Sequence, residues 1–369
     1  MRTVKKNRKW VKRIGLVIGG SLLGLILAEA SARVMTPPKD SDLLYNSPES
    51  SPNGLYVIDR HVRVKPADHF NGKVGSLDYQ INLRTNALGL RGPEHKSIEK
   101  EQWVALGDSF TMAVQVEEEK TFHHLVGAME ERHYWNAGVD GYSTWQSTLR
   151  YLQLKPDIPI KGALLTFFTG NDFHDNSRFT TQKNRPLPGP VGSPIPREVT
   201  PTWKRLLLRH SRLYAQYRIY SHRQQIFSGK GHFHQGWKDE LQLFTHQGQG
   251  RLQGLKKETQ KALMDFKRRT RGMDLLVAVA PPAFVVDESR SKATLSLVGL
   301  DPNDAALDAP QNAVMEILQA VGLKGCNLTD SLKSAERVAP TYFKYDGHWT
   351  AHGHQAVAAA ISQCKGAIQ

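Results

Sequence analysis

Residues 106–110 read Leu-Gly-Asp-Ser-Phe and follow directly on the apolar run Trp103–Leu106. A short strand feeding Gly-Asp-Ser and then a long amphipathic segment presents a serine hydroxyl on a strand-to-helix turn, where a nucleophile is accessible. Gly107 lets the backbone turn sharply, and Ser109 falls where the helix begins. Backbone N–H groups at such a start lack intrahelical acceptors and can face a developing oxyanion. Taken alone, Asp-Ser before a helix is also an ordinary N-cap. The other groups that acyl chemistry needs lie further along. Asn136-Ala137-Gly138-Val139-Asp140-Gly141 follows the next apolar run, Thr169-Gly170-Asn171-Asp172 the one after, and Asp346-Gly347-His348 lies near the C-terminus. Gly141, or its rival Gly138, offers an N–H with no side chain to block substrate. Asn171 offers an amide donor, unless it only satisfies a turn. His348 can take the Ser109 proton while Asp346 orients the imidazole.

These blocks, in this order, resemble the SGNH (GDSL-type) hydrolase superfamily, over roughly residues 100–365 with a break at about 175–270. The Ser, Gly, Asn and His of the family name fall on Ser109, Gly141, Asn171 and His348, and the resemblance selects Gly141 over Gly138. It implies a three-layer α/β/α fold with a mainly parallel, flavodoxin-like sheet, a Ser109–His348–Asp346 triad, and an oxyanion hole from Ser109, Gly141 and Asn171. Many members carry the Asp three residues before the His, whereas here it is two. The run Asp346-Gly347-His348-Trp349 is similar to branches that handle acyl groups on bacterial exopolysaccharides, including alginate O-acetyltransferase relatives. Residues 81–92 resemble the lead-in of membrane-anchored members.

The elements that must position these groups alternate. Strands are expected at Trp103–Leu106, Tyr134–Ala137, Ala163–Phe168, Asp274–Ala280 and Cys326–Leu328. Helices are expected near Glu118–Arg132, Thr144–Leu154, Gln311–Val321 and from Ala351. Such alternation implies a parallel sheet covered on both faces, with the site at the carboxyl ends of the strands. The expected organisation is a basic tail and membrane segment at 1–34, a linker and N-terminal extension at 35–98, and a catalytic domain at 99–369. Residues 35–60, rich in Pro and Ser, read as linker, and 61–98 as short β segments. Within the domain, an insertion at about 175–270 begins as Pro- and Gly-broken loop. Next come a basic amphipathic helix Trp203–Gln224 bearing Leu206, Leu207, Leu213, Tyr214, Tyr217 and Tyr220, a loop Ile226–Gly236 and a helix Leu252–Arg271. The aromatics of the first helix are expected in the core. The insertion reads as a lid or substrate platform at the rim of the site, or as a helical hairpin packed on the domain.

The first thirteen residues carry seven Lys or Arg and no acid, and Ile14–Ala28 is then apolar or small except for Ser21. This is a membrane-targeting segment with its N-terminus in the cytoplasm, so the catalytic part lies on the outer, periplasmic side. Fifteen residues are short for a span of about twenty; extending to Val34 takes in Glu29 and Arg33, which must then sit near the outer interface. An uncleaved anchor is expected, with cleavage near Ala28, Ala30 and Ala32 as the alternative. Formal charge is +14 over 369 residues, and about +7 remains without the tail. With no nucleic-acid module and an exported chain, nucleic acid is discounted.

Cys326 and Cys364, the two cysteines, can pair in an oxidising compartment or stay as separate buried thiols. His348 and His352 have zinc-helix spacing, with His354 close by, but no Glu follows the first His, and no metal is expected. Neither a phosphate-binding glycine loop nor a dinucleotide fingerprint occurs, so no cofactor is implied. The expected function is hydrolysis of acyl esters on cell-envelope glycans or lipids; O-acyl transfer to such a polymer is the alternative, and an inactive glycan-binding module the third reading. The acyl chain, the polymer and the oligomeric state are not specified by the pattern.

Overall fold

Strands buried on both faces read as apolar runs, and five of them form the centre of this computed structural model. It describes residues 2–35, 54–75, 78–94, 101–195, 203, 206, 207, 210–214, 216, 217, 232–344 and 346–366. The strands are β5 (Gln102–Leu106), β6 (His133–Asn136), β7 (Ile160–Phe168), β8 (Asp274–Ala280) and β9 (Gly325–Asn327), all parallel, in the order β6-β5-β7-β8-β9. This is the flavodoxin-like order, and its direction reverses between β5 and β7, where a crevice opens beyond the strand ends.

Alternation along the strands divides the core. Leu165, Phe167, Val277 and Val279 point to one face, where they pack with Tyr151 and Leu154 of α4 (Thr144–Leu154), Phe266 of α7 (Gln249–Arg269) and Ile317 of α10 (Ala309–Val321). Leu164, Leu276 and Ala278 point to the other, with Val126 of α3 (Phe122–Met129), Leu332 of α11 (Thr329–Glu336) and Ile361 of α12 (Ala351–Gly366). The result is the three-layer arrangement that the alternation implied.

Several expected elements differ. Only one helical turn, α2 (Ser109–Met112), follows the Gly-Asp-Ser run, because Ala113 turns left-handed at φ +54°. The helix expected near Glu118–Arg132 is a 3₁₀ turn at Glu118–Lys120 followed by α3. The expected linker ends early: β1 (Tyr56–Asp59) pairs with β2 (Arg63–Pro66), and β3 (Asn71–Gly75) with β4 (Gln80–Arg84), as antiparallel hairpins. Helix α5 (Asp172–Gln182) runs into the stretch from about 175 expected as loop, and 232–236 open helix α6 (His232–Leu241) rather than closing a loop. Two helices unforeseen in the sequence, α8 (Ala283–Val286) and α9 (Glu288–Leu297), follow β8. Residues 36–53 and 218–231 lie outside the described residues.

The N-terminal helix α1 (Arg2–Met35) contains a stretch, Trp10–Met35, long and apolar enough to cross a membrane, with mean hydropathy 1.9 and none of its apolar window buried. Cys326 on β9 and Cys364 on α12 form a disulfide that closes a ring over 38 residues, inside which lies the loop of Asp346 and His348. Breaking a ring of this length removes about 2–5 kcal/mol. We therefore expect Cys326→Ser/Cys364→Ser to lower the melting temperature. Dithiothreitol should do the same to the wild type and nothing further to the variant, whereas equal melting of all four samples would contradict it.

Candidate active site

The site assembles at the β5/β7 reversal. Gly107 leaves β5 at φ +146°, and a Cβ there would meet Thr166 O at 2.9 Å, so the chain turns without a side chain into α2. Asp108 caps that turn, accepting the Phe110 N–H at 3.0 Å, and Ser109 stands first in the helix with its side chain half-buried. On the loop before α12, Gly347 at φ +81° folds the chain so that His348 faces back toward β5. His348 Nε2 lies 2.7 Å from Ser109 Oγ, and His348 Nδ1 lies 2.6 Å from Asp346 Oδ1. Hydroxyl, imidazole and carboxylate thus form one unbroken hydrogen-bonded line. The Phe110 ring, 4.6 Å from the imidazole, and Trp349 behind it fix the ring plane.

Electrostatics match this order. Burial depresses the His348 pKa, but the hydrogen bond and charge of Asp346, with further carboxylates at Asp108 and Asp140, raise it above the ordinary 6.5 on balance. An imidazole so placed accepts a proton readily and stabilises as imidazolium.

The expected oxyanion donors follow the two strands that flank β5, Gly141 after β6 and Asn171 after β7. Neither the Ser109 N–H nor the Gly141 N–H donates to another group among the described residues, whereas the Gly138 N–H is engaged by Asn136 Oδ1 at 3.1 Å. Gly141 adopts φ +71° with open space where a Cβ would stand. Asn171 precedes α5, its side chain makes no cap hydrogen bond, and its Oδ1 is buried without a partner among the described residues. A cavity of about 370 Å³ opens beside Gly141, lined by Tyr56, Arg63, Asp140, Tyr142, Arg178 and Ile195 among others. Two larger ones, about 570 and 530 Å³, touch Gly325 and Met273 at the opposite strand ends, far from this chemistry.

Two supporting residues escaped the sequence reading. Asp78, beside β4, accepts the Asp346 N–H at 2.7 Å and so holds the loop of the triad carboxylate from the N-terminal extension. Arg91, buried, donates to the carbonyls of Met112, Ala113 and Val116 and pins the chain leaving α2. Arg84-Thr85-Asn86 and Arg91-Gly92 stand in the run similar to membrane-anchored relatives, which was the available signal for Arg91. Asp108 supports the site as well, through the Phe110 N–H that it accepts. Burial raises its pKa from 3.8 to about 7, and its Oδ2 has no partner among the described residues. Since the unfolded chain releases this proton near 3.8, the folded state binds more protons between about pH 4 and 7, and stability falls as pH rises through that window. Asp108→Asn should flatten this fall. Melting temperatures at pH 5 and pH 8 check it, and an unchanged difference between the two would refute the assignment.

The histidines near the triad have other occupations. His354 Nδ1 accepts the Phe122 N–H at 3.2 Å and is held unprotonated by burial, and His352 Nε2 meets Ala335 O at 3.1 Å.

Residues 241–365, which carry β8, β9, α12, Asp346 and His348, match the family model described as ALGX, the SGNH hydrolase-like domain of the acetyltransferase AlgX. The chain carries an SGNH hydrolase-like domain. No curated protein matches the sequence. Among solved structures, this chain is similar to a lipolytic G-D-S-L family member from Veillonella parvula DSM 2008, at 10% identity over 71% of this chain and 97% of that one (TM-score 0.37). A G-D-S-L family protein from Desulfitobacterium hafniense DCB-2 aligns at 10% identity over 71% and 98% (TM-score 0.38). LAE5, an alpha/beta hydrolase enzyme from the metagenome of Lake Arreo, aligns at 11% identity over 73% and 96% (TM-score 0.39).

Proposed function

We propose that this chain moves an acyl group from an ester through a Ser109 acyl-enzyme, on the outer side of the membrane in which α1 is anchored. The observation that carries the reading is the Ser109–His348–Asp346 line, 2.7 and 2.6 Å at its two joints. His348 Nε2 takes the Ser109 proton as Oγ attacks the ester carbonyl. The resulting oxyanion is held by the Ser109 and Gly141 N–H groups and the Asn171 amide. Collapse breaks the ester C–O bond, and His348 returns the proton to the departing oxygen. His348 then deprotonates an acceptor hydroxyl, which takes the acyl group and frees Ser109.

The acceptor decides the name of the enzyme. The AlgX acetyltransferase match favours transfer of acetyl to a sugar hydroxyl of a cell-envelope glycan. The openness of Gly141 to solvent favours water as a second acceptor, and then the enzyme removes acyl groups from a glycan or lipid. The seven cations before the apolar segment support an N-terminus in the cytoplasm.

Release of a chromogenic acetyl ester by the full chain in detergent tests the shared chemistry. Adding an acyl-accepting glycan should suppress acetate release if transfer dominates, and leave it unchanged if hydrolysis does. Asn171→Ala should lower kcat by about 10²–10³, as loss of one oxyanion donor does elsewhere. Full activity in that variant would remove Asn171 from the mechanism, and no turnover by the folded wild type would favour a glycan-binding module.

A further inference from the structure

The insertion does not keep its apolar side chains inside. Its aromatics were expected in the core, yet Trp203 is 57% and Tyr217 61% exposed, and Leu206, Leu207 and Leu213 are exposed beside them. The same segment is bound to the membrane helix. The Glu29 carboxylate on α1 accepts from Ser211 Oγ at 2.9 Å, from Arg212 N at 2.8 Å and from Leu213 N at 3.1 Å, and Arg33 Nη2 donates to His210 O at 2.7 Å. Ser211 interrupts the segment and caps its second half through Tyr214 N at 3.1 Å. Glu29 thereby supplies the acceptors that two first-turn N–H groups lack. Its charge, out of place in an apolar span, is satisfied by the insertion and by Arg33 at 2.9 Å.

The position along α1 sets the depth. From Trp10 to Glu29 the helix rises about 28 Å, close to the roughly 30 Å of a bilayer's hydrocarbon. With Trp10 at the inner interface, Glu29 and everything bound to it stand at the outer one. Residues 203–224 contain six Lys or Arg and no Asp or Glu, beside the apolar residues just named. Leucines and aromatics alongside cations are what a helix lying in the plane of an anionic lipid surface requires.

We propose that the 203–217 segment is a second membrane contact, lying in the outer-leaflet interface against α1, so that the SGNH domain rests on an anionic lipid surface instead of swinging on a tether. The inference rests on the reading of α1 as an uncleaved span. The full chain, reconstituted in phosphatidylcholine–phosphatidylglycerol vesicles, tests both. Trp203 and Trp10 emission are each taken as the difference between wild type and the Trp203→Phe or Trp10→Phe variant, in vesicles with and without lipids brominated near the top of the acyl chains. We expect bromine to quench Trp203 about twofold, as a side chain some 5–10 Å below the headgroups would be. Glu29→Ala should reduce Trp203 quenching and leave that of Trp10 intact, while Ser109-dependent ester turnover reports that the domain remains folded. Quenching of Trp10 without Trp203 overturns the second contact and leaves the span. Quenching of neither overturns both. Shielding of Trp203 from bromine and from aqueous acrylamide alike means that a protein covers the face, which also overturns the proposal.

Discussion

Replacing Ser109 by alanine is expected to lower kcat for acetyl-ester cleavage by about 10⁶, the scale on which a triad nucleophile counts when its partners act only through it. No other hydroxyl takes its place: Thr111, the nearest in sequence, is buried and donates to Leu106 O at 3.2 Å. A remnant of about 10³ over the uncatalysed rate should persist, because the oxyanion donors and the bound ester are still in place. Steady-state kinetics measure the loss. Mass spectrometry of the quenched enzyme should find an acetylated peptide containing Ser109 in the wild type and none in the variant. A variant losing less than tenfold would send the chemistry elsewhere.

Asp346→Asn should be the next most damaging change, on the order of 10⁴ in kcat, since an amide both fails to stabilise the imidazolium and favours the wrong tautomer. The variant carries a second signature. His348 must be neutral to act as base, so wild-type activity rises with pH through a midpoint above the ordinary histidine value of 6.5. Removing the Asp346 hydrogen bond and charge, the largest influences that raise the His348 pKa, should move that midpoint to lower pH while the plateau falls. A merely disordered loop would lower the plateau without moving the midpoint. Asp346 at two residues before His348 rather than three costs no reach: Gly347 at φ +81° brings Oδ1 to 2.6 Å from Nδ1.

The central sheet was legible because parallel strands under helices leave long apolar runs. Asp274–Ala280 and Thr144–Leu154 have the bounds expected of them, since a run bounded by polar residues and a capping box at Ser143 mark their ends. The first three blocks of the site were legible for a related reason, each lying where a strand ends, while the fourth lies on the loop before α12. What failed was whatever depends on distant partners. The Pro and Gly residues from Pro186 onward suggested loop for the whole start of the insertion, but Asn176 of α5 is buried against Thr144, accepting its N–H at 3.0 Å, and that contact sustains a helix which periodicity alone would not mark. The apolar stripe of 203–217 has the spacing of a core helix, and only Glu29 and Arg33, from a segment some 180 residues away, show that its residues 210–213 are held at α1. Asp78 carried no signal at all, because its partner Asp346 is 268 residues further on.

That last contact changes what counts as the smallest working unit. Sequence composition suggests trimming the chain at residue 99, just ahead of the first sheet strand. Such a cut would keep every triad side chain and discard the carboxylate that grips the peptide of Asp346, along with the guanidinium of Arg91 that braces the chain beyond the nucleophile. Strand β4 and its neighbours are therefore less a preface than a bracket reaching over the site's two working loops. Grafting this chemistry onto another anchor, or shortening it for expression, has to keep Asp78 and Arg91 with the hairpins that lead into them.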